Sequence, residues 1–231
     1  MAQMERVGPL ARQLLTLRDE LGRNDLWLLE HSERVRQLAR VLAGLPEVAG
    51  WHLDGDALEL AALCHDLGWA IQVQQGRFDR WQVLSRPTSD IQRELAAGWM
   101  AEQLAHVVPA EELHRAADAV RQCNSRNGAS PEARLLNEAE NLDEIGLLYV
   151  LRQFRQFQAE GRPLEQLISS WQRQREYQYW DARINDCLRF DASRRLARLR
   201  LADVDGFIRG LAASLDASQL TRAAEEAPPP G

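Results

Sequence analysis

Two stretches of the chain carry side chains that apolar helices seldom spend on their inner face. Residues 58–68 read LELAALCHDLG, an apolar helical run whose last turn holds Cys64, His65 and Asp66. Residues 30–43 read EHSERVRQLARVLA, with His31 in register with Leu28, Val35, Leu38, Val41 and Leu42. Burying an imidazole or a carboxylate costs free energy unless something pairs with it. A divalent metal ion would pair with all of them. Histidine supplies a neutral nitrogen and aspartate an anionic oxygen, a mixed set suited to first-row transition metals. Neighbouring residues of an α-helix point about 100° apart. At a helix end the backbone can turn so that His65 and Asp66 meet one ion, with His31 arriving from a packed neighbour. Three protein ligands leave coordination positions for water or substrate. The plainer reading is a hydrogen-bonded core histidine and an aspartate tied to local backbone.

These residues need helices to position them, and the sequence supplies helix after helix. No stretch keeps the alternation of a strand between turn residues. Residues 9–21 predict a first amphipathic helix, stopped at Gly22. A second runs from a cap at Asn24 or Asp25 to about Leu42, ended by Gly44-Leu45-Pro46. A third opens at Gly55-Asp56 and stops at Gly68. Residues 69–88 read as a long connection, and such a loop in a compact domain is more often functional than not. Further helices are predicted from Ser89 or Asp90 to about Val107, from Pro109 to Cys123, and from Ser130-Pro131 past Gly146 to about Ala159. Another opens at Pro163, and the last strong one spans Ser193 to about Leu215. The reading gives an N-terminal helix over 1–22 packed on the body, a helical domain over 23–216 and a disordered tail over 217–231.

Composition narrows the chemistry. All 28 basic residues are arginine, so no lysine Schiff base, P-loop or kinase-type lysine is available. The net charge of −6 gives no global attraction to nucleic acid or anionic membrane. The cysteines, Cys64, Cys123 and Cys187, are widely spaced and lack a CxxC pair, which argues against a disulfide framework and a zinc finger. No apolar run approaches the ~20 residues needed to span a bilayer. The N-terminus has no apolar signal core, and a reducing cytoplasm is the expected location.

The ordered set of His31, then His65-Asp66, resembles the HD-domain phosphohydrolase superfamily, whose signature is a lone His, a His-Asp pair and a later Asp. Residues 131–146, PEARLLNEAENLDEIG, look like the family segment that carries the later acid. Residues 193–211 are similar to the closing helix of small bacterial members. The resemblance covers roughly 25–215 and implies an all-α, compact HD-domain-like helical bundle. It implies a divalent cofactor (Mn, Fe, Co, Mg, Ni or Zn) held by His31, His65, Asp66 and Glu140, with His65 and Asp66 as the catalytic pair. Glu140 stands where the family has Asp; the alternative is a surface acid. Glu94 and Cys123 stand where many relatives have two further histidines. Glu94 is otherwise a solvated helix residue, and Cys123 a small buried hydrophobe. Arg34, Arg77 and Arg80 are candidate phosphate contacts, the last two in the long connection beside Trp81.

The function expected is a metal-dependent phosphohydrolase acting on a nucleotide or other small phosphoester through metal-activated water. The alternative is a catalytically decayed HD fold kept as a ligand-sensing or interaction module, because three expected ligand positions are altered. The expected partner is a small phosphorylated substrate. Membrane is excluded, nucleic acid is disfavoured despite the basic run 189–200, and a homo-oligomer is left open.

Overall fold

The computed structural model describes residues 2–125 and 129–225. It is all-α, with one two-residue ladder pairing β1 (Leu17–Arg18) and β2 (Asn24–Asp25) antiparallel. The described residues fall into two compact units, divided between Glu144 and Ile145. No described helix is long and apolar enough to cross a membrane.

The first unit holds α1 (Ala2–Leu15), α2 (Trp27–Ala43), α3 (Gly55–Cys64), α4 (Leu67–Gln74), α5 (Asp90–Gln103), α6 (Ala110–Gln122) and α7 (Pro131–Asp143). The first helix ends seven residues short of Gly22, and the ladder takes up the stretch that the sequence predicts as helix. Between the strands, Asp19 Oδ1 accepts hydrogen bonds from the backbone N–H groups of Leu21 and Arg23, and Gly22 adopts a φ of +74°. On α2 the buried stripe is Leu28, His31, Val35, Ala39 and Leu42. Val41, predicted on that face, is 67% exposed.

Local caps fix where the other helices begin. The Asp54 carboxylate accepts from Ala57 N–H at the start of α3. Ser89 and Gln92 form a reciprocal capping box on α5. Ser130 caps α7, with Pro131 at its first position. The core forms as α2 packs on α3 and α7, α3 on α6, α4 on α5, and α5 on α6. Leu58, Leu60, Leu63, Met100, Leu135 and Leu136 are among its fully enclosed side chains. Each such burial stabilises the unit by roughly 1.5–3 kcal/mol relative to exposure.

The second unit holds α8 (Leu147–Ala159), α9 (Leu164–Glu176), α10 (Tyr179–Cys187), α11 (Asp191–Ser214) and α12 (Ser218–Glu225). Trp171, Trp180 and Tyr149 pack together in it, with ring centroids 4.7–6.0 Å apart. Two sequence expectations change here. The helix predicted to run through Gly146 breaks, because Gly146 takes a φ of +119° that other residues rarely adopt. The tail predicted as disordered is helical over Ser218–Glu225, although none of its residues is buried. The rest of that tail, 226–231, lies outside the described residues, as do positions 126–128 of the polar turn.

Candidate metal centre

Helix α3 does not continue to Gly68. It ends at Cys64; His65 keeps near-helical angles, and Asp66 departs to φ −107°, ψ 12° before α4 begins at Leu67. That sparsely populated backbone region is one where active-site residues are often found. The break turns consecutive side chains onto a common point facing α2. His31 Nε2 lies 3.3 Å from His65 Nε2 and 3.2 Å from Asp66 Oδ2, and His65 Nε2 lies 3.4 Å from the same oxygen. All three residues are at most 1% exposed. They form the group of potential ligands found among the described residues.

The outer hydrogen bonds assign the tautomers. His65 Nδ1 is 2.8 Å from the Ala62 carbonyl oxygen, which can only accept, so Nδ1 carries the proton. His31 Nδ1 is 2.7 Å from Asp143 Oδ2 and donates to it in the same way. Arg34 grips that carboxylate from the other side, Nε to Oδ1 at 2.7 Å and Nη2 to Oδ2 at 3.2 Å. Burial alone would raise the Asp143 carboxyl; the hydrogen bonds from His31 and Arg34 outweigh it and hold it below the ordinary range. Thr88 donates to Asp66 Oδ1 at 2.7 Å and accepts from Trp69 Nε1 at 3.0 Å. Burial likewise opposes ionisation of Asp66, and His65, His31 and Thr88 together keep it ionised.

With both Nδ1 protons directed outward, the two Nε2 atoms face each other as lone pairs. One positive charge is required between them. It is carried by a proton that makes one ring an imidazolium, or by a metal ion. A proton on His31 Nε2 has Asp66 Oδ2 within reach at 3.2 Å, whereas one ion would bond all three atoms at once. Donors bound to one ion at about 2.0–2.1 Å stand about 3.3 Å apart in a tetrahedral set. The observed edges of 3.2, 3.3 and 3.4 Å match. The residues therefore fit a divalent ion, and carbonyl and carboxylate partners on the outer nitrogens are what metal-ligating histidines ordinarily have.

The remaining sequence candidates are placed elsewhere. Glu140, expected as fourth ligand, is outside the three-residue group. Arg93 Nη2 donates to both of its carboxylate oxygens at 3.1 Å, and Cys123 Sγ donates to Oε2 at 3.1 Å. Burial works to raise the Glu140 carboxyl, but the Arg93 charge, His65 and the hydrogen bond from Cys123 together outweigh it and hold the group below its ordinary value. Burial and the Glu140 charge push the Cys123 thiol well above its ordinary range, the opposite of what a thiolate ligand needs. Glu94 is exposed and paired with Arg121 at 2.8 Å. Arg34, a candidate phosphate contact, is spent on Asp143. Arg80 pairs with Asp25 at 3.0 Å and lies over Trp81; Arg77 is exposed.

The connection expected over 69–88 is shorter than predicted, since α4 extends to Gln74. Its remaining residues are pinned down: Phe78 meets Trp69 edge-on at 5.4 Å, and Arg86 covers Phe78 at 4.9 Å. Thr88, at its end, was missed as a partner of Asp66. Arg93 was missed too. Its signal was a charged residue three, four and seven positions ahead of Ala96, Ala97 and Met100, all buried on one face of α5. A groove of about 840 Å³ lined by Arg40, Trp51, Asp54, Glu59 and Arg115 contains none of the cluster residues.

No protein-family model matches the chain, and no curated protein matches it in sequence. Solved structures do resemble it. A predicted HD superfamily hydrolase from an uncultured Thermotogales bacterium is 17% identical, with 93% of this chain and 94% of that one covered at a TM-score of 0.56. YpgQ of Bacillus subtilis is 20% identical, with 93% and 96% covered at a TM-score of 0.58. YpgQ in complex with ADP gives 92% and 98% at 0.57. At these identities the likeness is one of fold, and it extends over nearly the whole chain.

Proposed function

We propose that this protein is a metal-dependent phosphohydrolase acting on a nucleotide or another small phosphoester. The observation that carries the reading is the convergence of His31 Nε2, His65 Nε2 and Asp66 Oδ2, with both imidazole protons directed away. Those three residues would hold a divalent first-row ion. Such an ion supplies Lewis acidity to a phosphoryl oxygen and lowers the pKa of water towards neutrality. The protein's own part is positioning. Asp143, steadied by Arg34, keeps His31 in the tautomer that presents Nε2. The Ala62 carbonyl does the same for His65. Thr88 occupies Asp66 Oδ1 and leaves Oδ2 to face the reacting centre and orient the attacking water. Phosphoryl transfer asks mainly for positioning and charge neutralisation, so few groups suffice. The hydrolase fold and a fold relative solved with ADP support a nucleotide as substrate.

The test is metal analysis of the purified protein together with a nucleotide and phosphoester panel run with added Mn, Fe, Co, Mg, Ni or Zn. About one ion per chain, and hydrolysis that disappears in Asp66→Ala along with the ion, is the expected result. Wild-type hydrolysis in Asp66→Ala would overturn the reading. A chain that takes up an ion and hydrolyses nothing on the panel would favour the interaction module.

A further inference from the structure

Arg93 is buried to within 1% and is poorly matched to its surroundings. One nitrogen makes all its visible contacts: Nη2 donates to both Glu140 oxygens and to Asn124 Oδ1, each at 3.1 Å. Nε and Nη1 are equally enclosed and have no hydrogen-bond partner. A guanidinium kept only as a counter-ion meets a carboxylate with two parallel N–H groups, because the fork geometry matches both oxygens. Here the fork is turned away and its donors point elsewhere. Leaving buried N–H groups without acceptors costs free energy, so an acceptor is called for.

The contacts of Arg93 lead to the metal centre. Asn124 Nδ2 donates to the Thr88 carbonyl, and Thr88 Oγ1 donates to Asp66 Oδ1. This chain of contacts joins Arg93 to the aspartate of the metal centre, whose Oδ2 is itself without a hydrogen bond. Two kinds of unsatisfied atom thus lie in one buried region: an anionic oxygen that calls for a cation, and N–H groups that call for an acceptor. An ion alone answers the first. An oxyanion beside the ion answers the second. Glu140 and Cys123 then have a positioning role, with Glu140 holding Nη2 and Cys123 holding Glu140.

We propose that Arg93 is the oxyanion contact of this centre, donating from its unpartnered Nη1 to a phosphoryl oxygen while Glu140 and Asn124 hold Nη2. The inference rests on the phosphohydrolase reading and assigns the cationic half of its substrate site. The test is calorimetric binding of inorganic phosphate to ion-loaded protein, with metal content measured alongside. Two variants are compared with wild type: Arg93→Lys, which keeps the charge but loses the fork, and the double variant Arg93→Met/Glu140→Gln, which removes both charges and so leaves neither buried alone. Both should keep the ion, and both should bind phosphate at least tenfold more weakly, the double variant more weakly still. Wild-type phosphate affinity in either variant would reduce Arg93 to the counter-ion of Glu140, and so would an absence of phosphate binding by the wild type. The two readings can fail separately. Phosphate affinity that depends on Arg93 without hydrolysis of any phosphoester would sink the hydrolase and keep the contact. Hydrolysis with affinity indifferent to Arg93 would do the reverse.

Discussion

At the scale of single residues, the centre depends on which nitrogen of His31 carries the proton, and Asp143 decides it. A carboxylate at 2.7 Å can only accept, so Nδ1 is the donor and Nε2 is left for the ion. Asp143→Asn keeps the shape and changes the rule. The amide can present an N–H to Nδ1, which moves the imidazole proton to Nε2, the atom that must stay bare. Loss of such an outer partner typically costs about 10–100-fold in metal affinity. We expect a loss of that size in chelator competition, with helical content unchanged. Equal affinity would show that Asp143 serves only to anchor Arg34. The members of the cluster were legible in the sequence because His31, His65 and Asp66 are chemically out of place on apolar helix faces. Their outer partners were not. Nothing in the chain says that a carboxylate 112 positions after His31 meets its ring, or that Arg93 rather than the ion takes Glu140. A side chain's type suggests what it can bind; only the packing of α2, α5 and α7 settles which partner arrives first.

At the scale of elements, the informative feature is the break between α3 and α4. The sequence predicts one helix to Gly68, since Leu58 to Leu67 show no helix breaker and apolar periodicity alone cannot locate a turn at Asp66. Gly68 acts instead as a contact point. A Cβ there would lie 2.0 Å from the Gln92 carbonyl oxygen and 2.7 Å from Gln92 Cα. Because the obstacle is backbone, no rotamer change can relieve it. Gly68 thus lets α4 rest directly on the first turn of α5, next to Arg93. Gly68→Ala should push the two helices apart. Forcing extra volume into a packed interior typically costs ~1–3 kcal/mol, which lowers the melting temperature by roughly 2–4 °C per kcal/mol in a chain of this size. The ligands on α2 and at the α3 end stay in place, so metal content should fall less than stability. An unchanged melting temperature would mean that the close approach does not occur. The break at Gly146 was misread for a related reason: a glycine inside a periodic stretch is compatible with a continuous helix, and only its φ of +119° excludes one.

At the scale of the whole molecule, the likeness to solved structures extends over 93% of the chain, yet all the candidate ligands and their partners lie within the unit Met1–Glu144. The all-helical class was legible because it rests on periodicity repeated along the entire chain, whereas the division after Glu144 was not, since no composition shift or linker marks it. Acid should act on this molecule at two levels. Ion binding requires neutral imidazoles and an ionised carboxylate, so acid competes with the ion and removes the stability it confers. Other carboxylates act as well. Glu140 and Asp143 are both held below their ordinary values of 4.5 and 3.8. A group whose folded pKa is depressed stabilises the fold above its unfolded pKa, and that stability is lost as pH falls through the folded value, because the unfolded chain binds the proton more readily. Their contribution is therefore intact above about pH 5 and fades below about pH 4.5. Thermal melts of ion-loaded protein should consequently fall in two steps, one that follows loss of the ion and one below ~4.5 that follows the carboxylates. After chelation only the carboxylate step should remain. Identical single-step profiles for the two preparations would show that His31 and His65 hold no ion.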